Sequence, residues 1–429
     1  MLYTWSESHG SRPTHNVSSD HAWITSVSFS SPGGGKSILA IGRADGSLAL
    51  MSMCDSLPRF EIQQPCSVAC LSWRPVCTTR ASKNPLNPGV PVVTEDLLVG
   101  DESGTIYYYV VEWPQSWEVT RDTWPGTVSL LTKISVHKQQ VCGLAWSPSG
   151  KSFASGSNDD LCFLFDVDTI IGYSARPSHD MYKFRQATPF PPPEISELSE
   201  FADESFFAGP AHSADDFAAD FGLVSPAEGT ELQLVRSFTN VIPKLGRGVE
   251  RHCWAHGAAV KAIAFCPWRE GLVATGGGSH NKGIHFFHTK SGAALATIAV
   301  SAQVTSLTWS TTRREIAATF GYAHPEHPYR IAIFSWPDCQ QVAAVPWEND
   351  MRALYAIPYP GSPTDGRFSR FNGASQEGCL VIAASDKTVK FHEVWSRERK
   401  SMVGGAGLLG GSDILEYLEG IDKEGDVIR

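Results

Sequence analysis

An aromatic residue that closes an apolar strand returns along this chain at a fixed interval. Phe29 to Trp73 and Phe265 to Trp309 each span 44 residues, which matches one four-stranded propeller blade. Trp73 to Trp146 spans 73 residues and Trp146 to Phe265 spans 119. The first is the same interval lengthened by a loop and the second is lengthened by a long insertion. The unit itself is clearest from Gln140 to Asp166. An apolar strand with Val141, Leu144 and Trp146 enters a Ser-Pro-Ser-Gly turn, a second strand ends in Ala154-Ser155-Gly156, and a third runs from Leu161 to Phe165 beyond an Asn-Asp-Asp turn. Short strands between Gly, Pro, Asn and Asp clusters read as an antiparallel meander. A single meander cannot cover both of its apolar faces, so copies must pack on one another.

Six copies are visible. They begin at Val27, Val68, Gln140, Val260, Val304 and Arg352. Fourth strands are expected at Val128 to Ile134, Leu232 to Phe238, Ala294 to Ile298 and Gln341 to Val345. The expected fold is all-β, a seven-bladed WD-repeat β-propeller with the first blade largely missing. Leu2 to Gly10 reads as the third strand of that further blade and the turn after it, so the chain is expected to be truncated at its N-terminus, to leave sheet edges exposed and to aggregate. Residues 1–166 then carry the end of the first blade through the inner strands of the fourth. Residues 167–250 are a long acidic inter-strand insertion with one outer strand near 232–238, residues 251–396 hold the remaining blades, and residues 397–429 form a flexible glycine-containing tail.

The expected turn aspartates Asp45, Asp159 and Asp386 are read as buried, with His137 and His256 before the following first strands, as in the Asp-His network of WD repeats. Their role is structural. The chain is 42% hydrophobic and 19% charged, with no apolar run near the length of a membrane span and no basic-then-apolar leader. Its ten cysteines form no CxxC pair, which suggests reduced, packed thiols in an intracellular protein. A net charge of -10 argues against a general nucleic-acid binder, and no membrane partner is expected.

Catalytic signatures are missing from the sequence: there is no phosphate loop, GxSxG elbow or HExxH pair. Gly276-Gly277-Gly278 leads into a strand, without the helix N-terminus that phosphate binding needs. His285 and His288 fall on opposite faces of one strand, so with His280 they do not form a metal site. The expectation is a non-catalytic protein without a cofactor.

Several stretches carry a more specific likeness. Gln140 to Trp146, Val260 to Trp268, Ala274 to Gly278, Ser291-Gly292-Ala293 and Gln303 to Ser310 resemble the central blades of the Fizzy family, the WD-repeat activators of the anaphase-promoting complex, a ubiquitin ligase. The likeness is weaker over residues 20–165 and stronger over 250–395. It implies a substrate-recruiting activator, with the fungal meiosis-specific activators as one form of the family, acting in nucleus and cytoplasm. The terminal Ile428-Arg429 matches the family's tail for docking on helical-repeat subunits of the ligase.

By the same resemblance, a Lys-Glu-Asn degron of a substrate protein docks on Asn158, Asp160, Ser279, Gln303 and Arg352. Arg352 would pair with the degron glutamate and Asp160 with its lysine. The family usually has asparagine at Asp160 and threonine at Ser279. Lys387 stands where the family has glutamate, which would repel the arginine of a destruction box. From Glu194 to Glu231 there are ten acidic residues and no lysine or arginine, interleaved with phenylalanines; this reads as a disordered segment able to engage a partner. A generic propeller scaffold for another assembly is the alternative.

Overall fold

The computed structural model describes residues 2–6, 10–15, 22–31, 37–53, 55–174, 242–323, 329–347, 351–359, 379–395 and 421–422. Strands β1 (Leu2–Ser6) and β2 (Gly10–His15) pair as a hairpin of their own. Six larger sheets follow. The first blade is β3 (Ile24–Phe29), β4 (Ile38–Arg43), β5 (Ser47–Ser52) and β6 (Phe60–Gln63). The second contains β7 (Val68–Trp73), β8 (Thr78–Ala81), β9 (Pro91–Asp101), β10 (Thr105–Glu112), helix α1 (Ser116–Asp122) and β11 (Thr127–Ser135). The third contains β12 (Val141–Trp146), β13 (Ser152–Ser157) and β14 (Leu161–Asp166). Helix α2 (Val167–Ser174) comes next. Strand β15 (Lys244–Leu245) then adds in parallel to β11, and β16 (His252–Ala255) closes the third blade.

The fourth blade is β17 (Val260–Phe265), β18 (Leu272–Gly277), β19 (Gly283–His288) and β20 (Ala294–Ala299). The fifth is β21 (Ala302–Trp309), β22 (Glu315–Ala323), β23 (Tyr329–Ser335) and β24 (Gln341–Pro346). The sixth is β25 (Ala353–Tyr359), β26 (Cys379–Ala384), β27 (Val389–Glu393) and β28 (Ile421–Asp422), the last running parallel to β27. The first strands touch one another in chain order, β3 to β7, β12, β17, β21 and β25. This is a β-propeller arrangement with six blades among the described residues.

The core lies between blades. Middle strands are buried on both faces, β4 along its whole length, so they read as continuous apolar runs rather than as alternating ones. Ile38, Ala40 and Leu50 of the first blade pack on Val68, Leu71 and Trp73 of the second. Leu98 and Tyr108 of the second pack on Trp146 and Phe153 of the third. Where blades meet most closely the second strand has room only for glycine. A Cβ at Gly156 would lie 2.3 Å from the Val260 carbonyl oxygen, and one at Gly276 would lie 2.4 Å from Val304 Cγ1.

The strand-end aromatics that set the repeat also tie the blades together. Trp73 Nε1 donates to the Ser28 carbonyl at 3.0 Å, Trp146 Nε1 to Ser72 at 3.2 Å and Trp309 Nε1 to Ala264 at 3.0 Å. Each bond runs from one blade to the blade before it. Phe265 has no donor, and Phe29 of the first blade is 53% exposed.

Several expectations need correction. The structure describes six blades, and it does not establish a seventh or a missing first one. Strands β11, β20 and β24 occupy three of the four expected outer-strand positions. The segment 232–238 lies outside the described residues, and β16 holds the outer position of the third blade. The insertion is not featureless at its ends, since α2 opens it and β15 lies near its close. The tail likewise returns to the sixth blade through β28. Asp45 and Asp386 are exposed rather than buried. Each caps its own turn, Asp45 through the Ser47 N–H at 2.8 Å and Asp386 through the Thr388 N–H at 2.9 Å.

Candidate functional site

Strand direction alternates within a blade, so the starts of first strands and the turns between second and third strands share one rim. All five expected degron residues fall there. Asn158 and Asp160 sit in the β13–β14 turn, Ser279 in the β18–β19 turn, Gln303 at the start of β21 and Arg352 just before β25. They occupy four consecutive blades. No hydrogen bond joins one of these side chains to another among the described residues, so any convergence must come from a shared ligand. Ile428 and Arg429 lie outside the described residues.

The third blade supplies the best-defined part. Asp159 is the structural member of the turn. His137 Nδ1–H donates to Asp159 Oδ1 at 3.1 Å, the Lys138 N–H donates to Oδ2 at 2.9 Å, and His137 Nε2 accepts from Ser155 Oγ at 2.8 Å. Burial raises the Asp159 carboxyl, but the Lys138 N–H and His137 outweigh it and hold the pKa below its ordinary value. Burial depresses the His137 pKa, with Asp159 acting in the opposite sense. A neutral imidazole bridging a carboxylate and a hydroxyl fixes the turn's position.

That anchor leaves its two neighbours to face solvent. Asn158 Oδ1 accepts from Cys142 Sγ at 2.9 Å and its Nδ2 donates to Gln140 Oε1 at 3.3 Å, so the amide is oriented from both sides. It retains a second donor hydrogen and a second lone pair, which suits a peptide or side-chain amide. Burial pushes the Cys142 thiol up to about 11, so it serves as a donor rather than as a nucleophile. Asp160 adopts φ 68°, the left-handed region that Asn and Asp tolerate best. Its carbonyl accepts from the His256 N–H at 2.9 Å, and its carboxylate is half-buried.

The remaining members are less constrained. Arg352 is exposed, and its backbone is pinned by Ser385: the Arg352 N–H donates to Ser385 Oγ at 3.0 Å and the Ser385 N–H donates to the Arg352 carbonyl at 3.0 Å. A guanidinium on a fixed stem is well suited to a carboxylate. The Gln303 amide lies over Gly321, where a Cβ would come within 3.0 Å of Gln303 Oε1. Ser279 is half-buried in its turn, and Lys387 is exposed with φ 72°.

Sequence reasoning missed the residues that line the space between these blades. Lys261 Nζ donates to the Leu354 carbonyl at 3.4 Å, from the fourth blade to the sixth. Tyr355 is 58% exposed, yet burial raises its phenol pKa and the Cys70 thiol of the second blade adds to the effect. The Lys261 bond thus links two blades that are not neighbours in the chain, and Tyr355 lies on the same side of the sixth blade's first strand as solvent. The signal was available: along a first strand, alternate residues share one face. Gln140 and Cys142, which orient Asn158, were also not singled out.

His256 departs from the expected Asp-His pattern. Its Nε2 accepts from Thr275 Oγ1 at 2.7 Å, its carbonyl accepts from Asn281 Nδ2 at 2.7 Å, and His285 Nε2–H donates to Asn281 Oδ1 at 2.8 Å. His288 instead meets Ser291 Oγ at 2.8 Å. The histidines of this blade therefore serve separate turns.

Residues 128–166 match the WD domain, G-beta repeat family. The match begins in β11 and ends in β14, so one sequence repeat bridges two blades. The chain is 27% identical over 444 residues to the meiotic fizzy-related protein 2 of Schizosaccharomyces pombe, covering 99% of this chain and 63% of that protein. It thus spans about three fifths of that relative's length. It is 37% identical over 183 residues to the meiosis-specific APC/C activator protein AMA1 of Saccharomyces cerevisiae, covering 42% of this chain and 28% of the relative. A solved structure of the mitotic checkpoint complex contains a chain with the same fold, at a TM-score of 0.56 and 22% identity, covering 92% of this chain and 81% of that one.

Proposed function

From its homology to the Fizzy-family WD-repeat activators, we propose that this chain is a non-catalytic activator of the anaphase-promoting complex that recruits degron-bearing substrates in meiotic cells. The observation that carries the reading is the rim. A doubly oriented amide at Asn158, a carboxylate at Asp160 and a pinned guanidinium at Arg352 lie at equivalent ends of the third and sixth blades. A Lys-Glu-Asn peptide presents an ammonium, a carboxylate and an amide, which are the complements of Asp160, Arg352 and Asn158. Ser279 and Gln303 add neutral hydrogen-bonding groups between them. Relatives named as activators of the same ligase support the assignment.

Docking on helical-repeat subunits of the ligase is assigned to Ile428 and Arg429, which pair an apolar side chain with a guanidinium. The protein acts in nucleus and cytoplasm. Arg352→Ala is expected to weaken a fluorescent Lys-Glu-Asn peptide at least tenfold, because a charge-assisted pair contributes about 1.5–3 kcal/mol. Unchanged affinity by anisotropy titration would remove Arg352 from the site. Deleting Ile428 and Arg429 is expected to abolish co-purification of the ligase while leaving peptide affinity intact; full co-purification would refute the docking role.

A further inference from the structure

We infer that the opposite rim carries a second docking site, one for an acidic peptide segment of a partner protein. The turns between first and second strands and between third and fourth strands lie at that rim. There, Trp268 and Arg269 from the β17–β18 turn, Arg314 from the β21–β22 turn, and Trp336 and Pro337 from the β23–β24 turn line a cavity of about 320 Å³. It sits between the fourth and fifth blades, on the far side of the sheets from Asn158 and Arg352.

The apolar wall is held in place by aromatic packing. Trp268 meets Trp309 edge-on at 5.6 Å, Trp309 meets Trp336 at 6.1 Å, and Trp336 lies 4.6 Å from Phe286. Trp268 Nε1 is already used, donating to the Ser310 carbonyl at 2.9 Å. Trp336, by contrast, is 7% exposed and its indole N–H meets no acceptor among the described residues. A buried donor left in this state is costly, and a wall that holds one favours an occupant rich in acceptors.

The charge of the site selects the occupant. Arg269 and Arg314 are both exposed, and neither guanidinium has an ion-pair partner among the described residues, although Glu270 and Asp338 adjoin the lining in sequence. On a chain of net charge -10, two arginines without an ion pair among the described residues, beside indole faces, form a local basic spot. Guanidinium groups bind carboxylates in a planar fork, and an indole wall accepts an apolar or aromatic side chain. The cavity is at the lower end of the size range of ligand pockets and has room for a few side chains, so it fits a short acidic stretch with one apolar anchor. Recognition of acidic motifs by paired arginines is a recurrent mode of peptide capture.

The test uses the full chain and a fluorescein-labelled octapeptide of alternating glutamate and phenylalanine. Wild type is expected to bind it, with affinity reduced at least tenfold in the double variant Arg269→Glu/Arg314→Glu and at least tenfold for the peptide with glutamine in place of glutamate. Both arginines are exposed, so the fold is expected to survive, and an unchanged circular dichroism spectrum and unfolding midpoint will confirm that. Arg352→Ala, on the other rim, is expected to leave this binding unchanged, which separates the site from the proposed degron surface. No binding to wild type, equal binding of the glutamine peptide, or undiminished binding by the double variant would overturn the inference. Binding of a phosphoserine peptide where the glutamate peptide fails would overturn it in favour of a phosphorylated partner.

Discussion

The third and fourth blades share a strand plan and differ in how they hold their top turns. In the third, an ionised Asp159 accepts from His137, Lys138 N–H and Leu161 N–H. In the fourth, Asn281 takes the corresponding turn and contacts the His256 carbonyl and the His285 ring instead. One carboxylate draws three donors to itself, whereas the amide passes the connection along a chain of neutral groups. A charged hub concentrates stability in one residue, and a neutral relay spreads it. The proposed degron residues with the most definite geometry, Asn158 and Asp160, flank the charged hub, while the fourth blade contributes only Ser279.

The largest effect expected from breaking this contrast is that of Asp159→Ala. Removing the acceptor strands a buried imidazole N–H and two backbone donors, at about 3 kcal/mol, measurable as a lowered denaturant midpoint. Because Asn158 and Asp160 ride on the same turn, peptide affinity at the proposed degron site is expected to fall with it. Asn281→Ala is expected to cost less, about 1–2 kcal/mol, with a smaller loss of peptide affinity, since its turn carries Ser279 alone of the proposed site. If the two variants cost the same, the hub is no more concentrated than the relay.

A smaller effect is expected from Trp146→Phe. It deletes the donor to the Ser72 carbonyl and makes the third blade resemble the fourth, where Phe265 already lacks one, at a cost of about 1 kcal/mol. The mildest probe leaves the sequence alone. His256 has no carboxylate to offset its burial and is pushed down to about 4 with the neighbouring His285 adding to the effect, whereas Asp159 partly counteracts burial at His137. Both native pKa values lie below the unfolded value of 6.5, so these histidines favour folding fully above that pH and progressively less as the pH falls toward 4. NMR titration of the two rings is expected to show His137 protonating at the higher pH; the reverse order would break the charged-hub account.

The blades were legible because burial on both faces forces long apolar runs, and because an indole or phenyl ring must recur where each blade meets the last. Phe29 with Trp73, and Phe265 with Trp309, announced the interval. The charged turn at Asp159 was legible for the same reason, whereas reading Asp45 and Asp386 as buried failed: a turn aspartate looks alike whether it caps its own loop or reaches a distant imidazole. Strand β16 was missed because His252–Ala255 is a four-residue edge strand with two exposed positions, too short to show a period. Strands β15 and β28 have two residues each and arise from backbone pairing that no side-chain pattern encodes. Among the proposed site residues, Asn158 and Arg352 rest on resemblance. Lys261 and Tyr355 were missed, because their partners lie in blades far apart in sequence.

The three strand-end indoles all point the same way, each donating to the blade made before it. A ribosome therefore releases the acceptor first and the donor second. A waiting carbonyl at Ser28, Ser72 or Ala264 stays hydrated at little cost. Each of these indoles thus emerges with its acceptor already synthesised, so a later blade is able to latch the one before it.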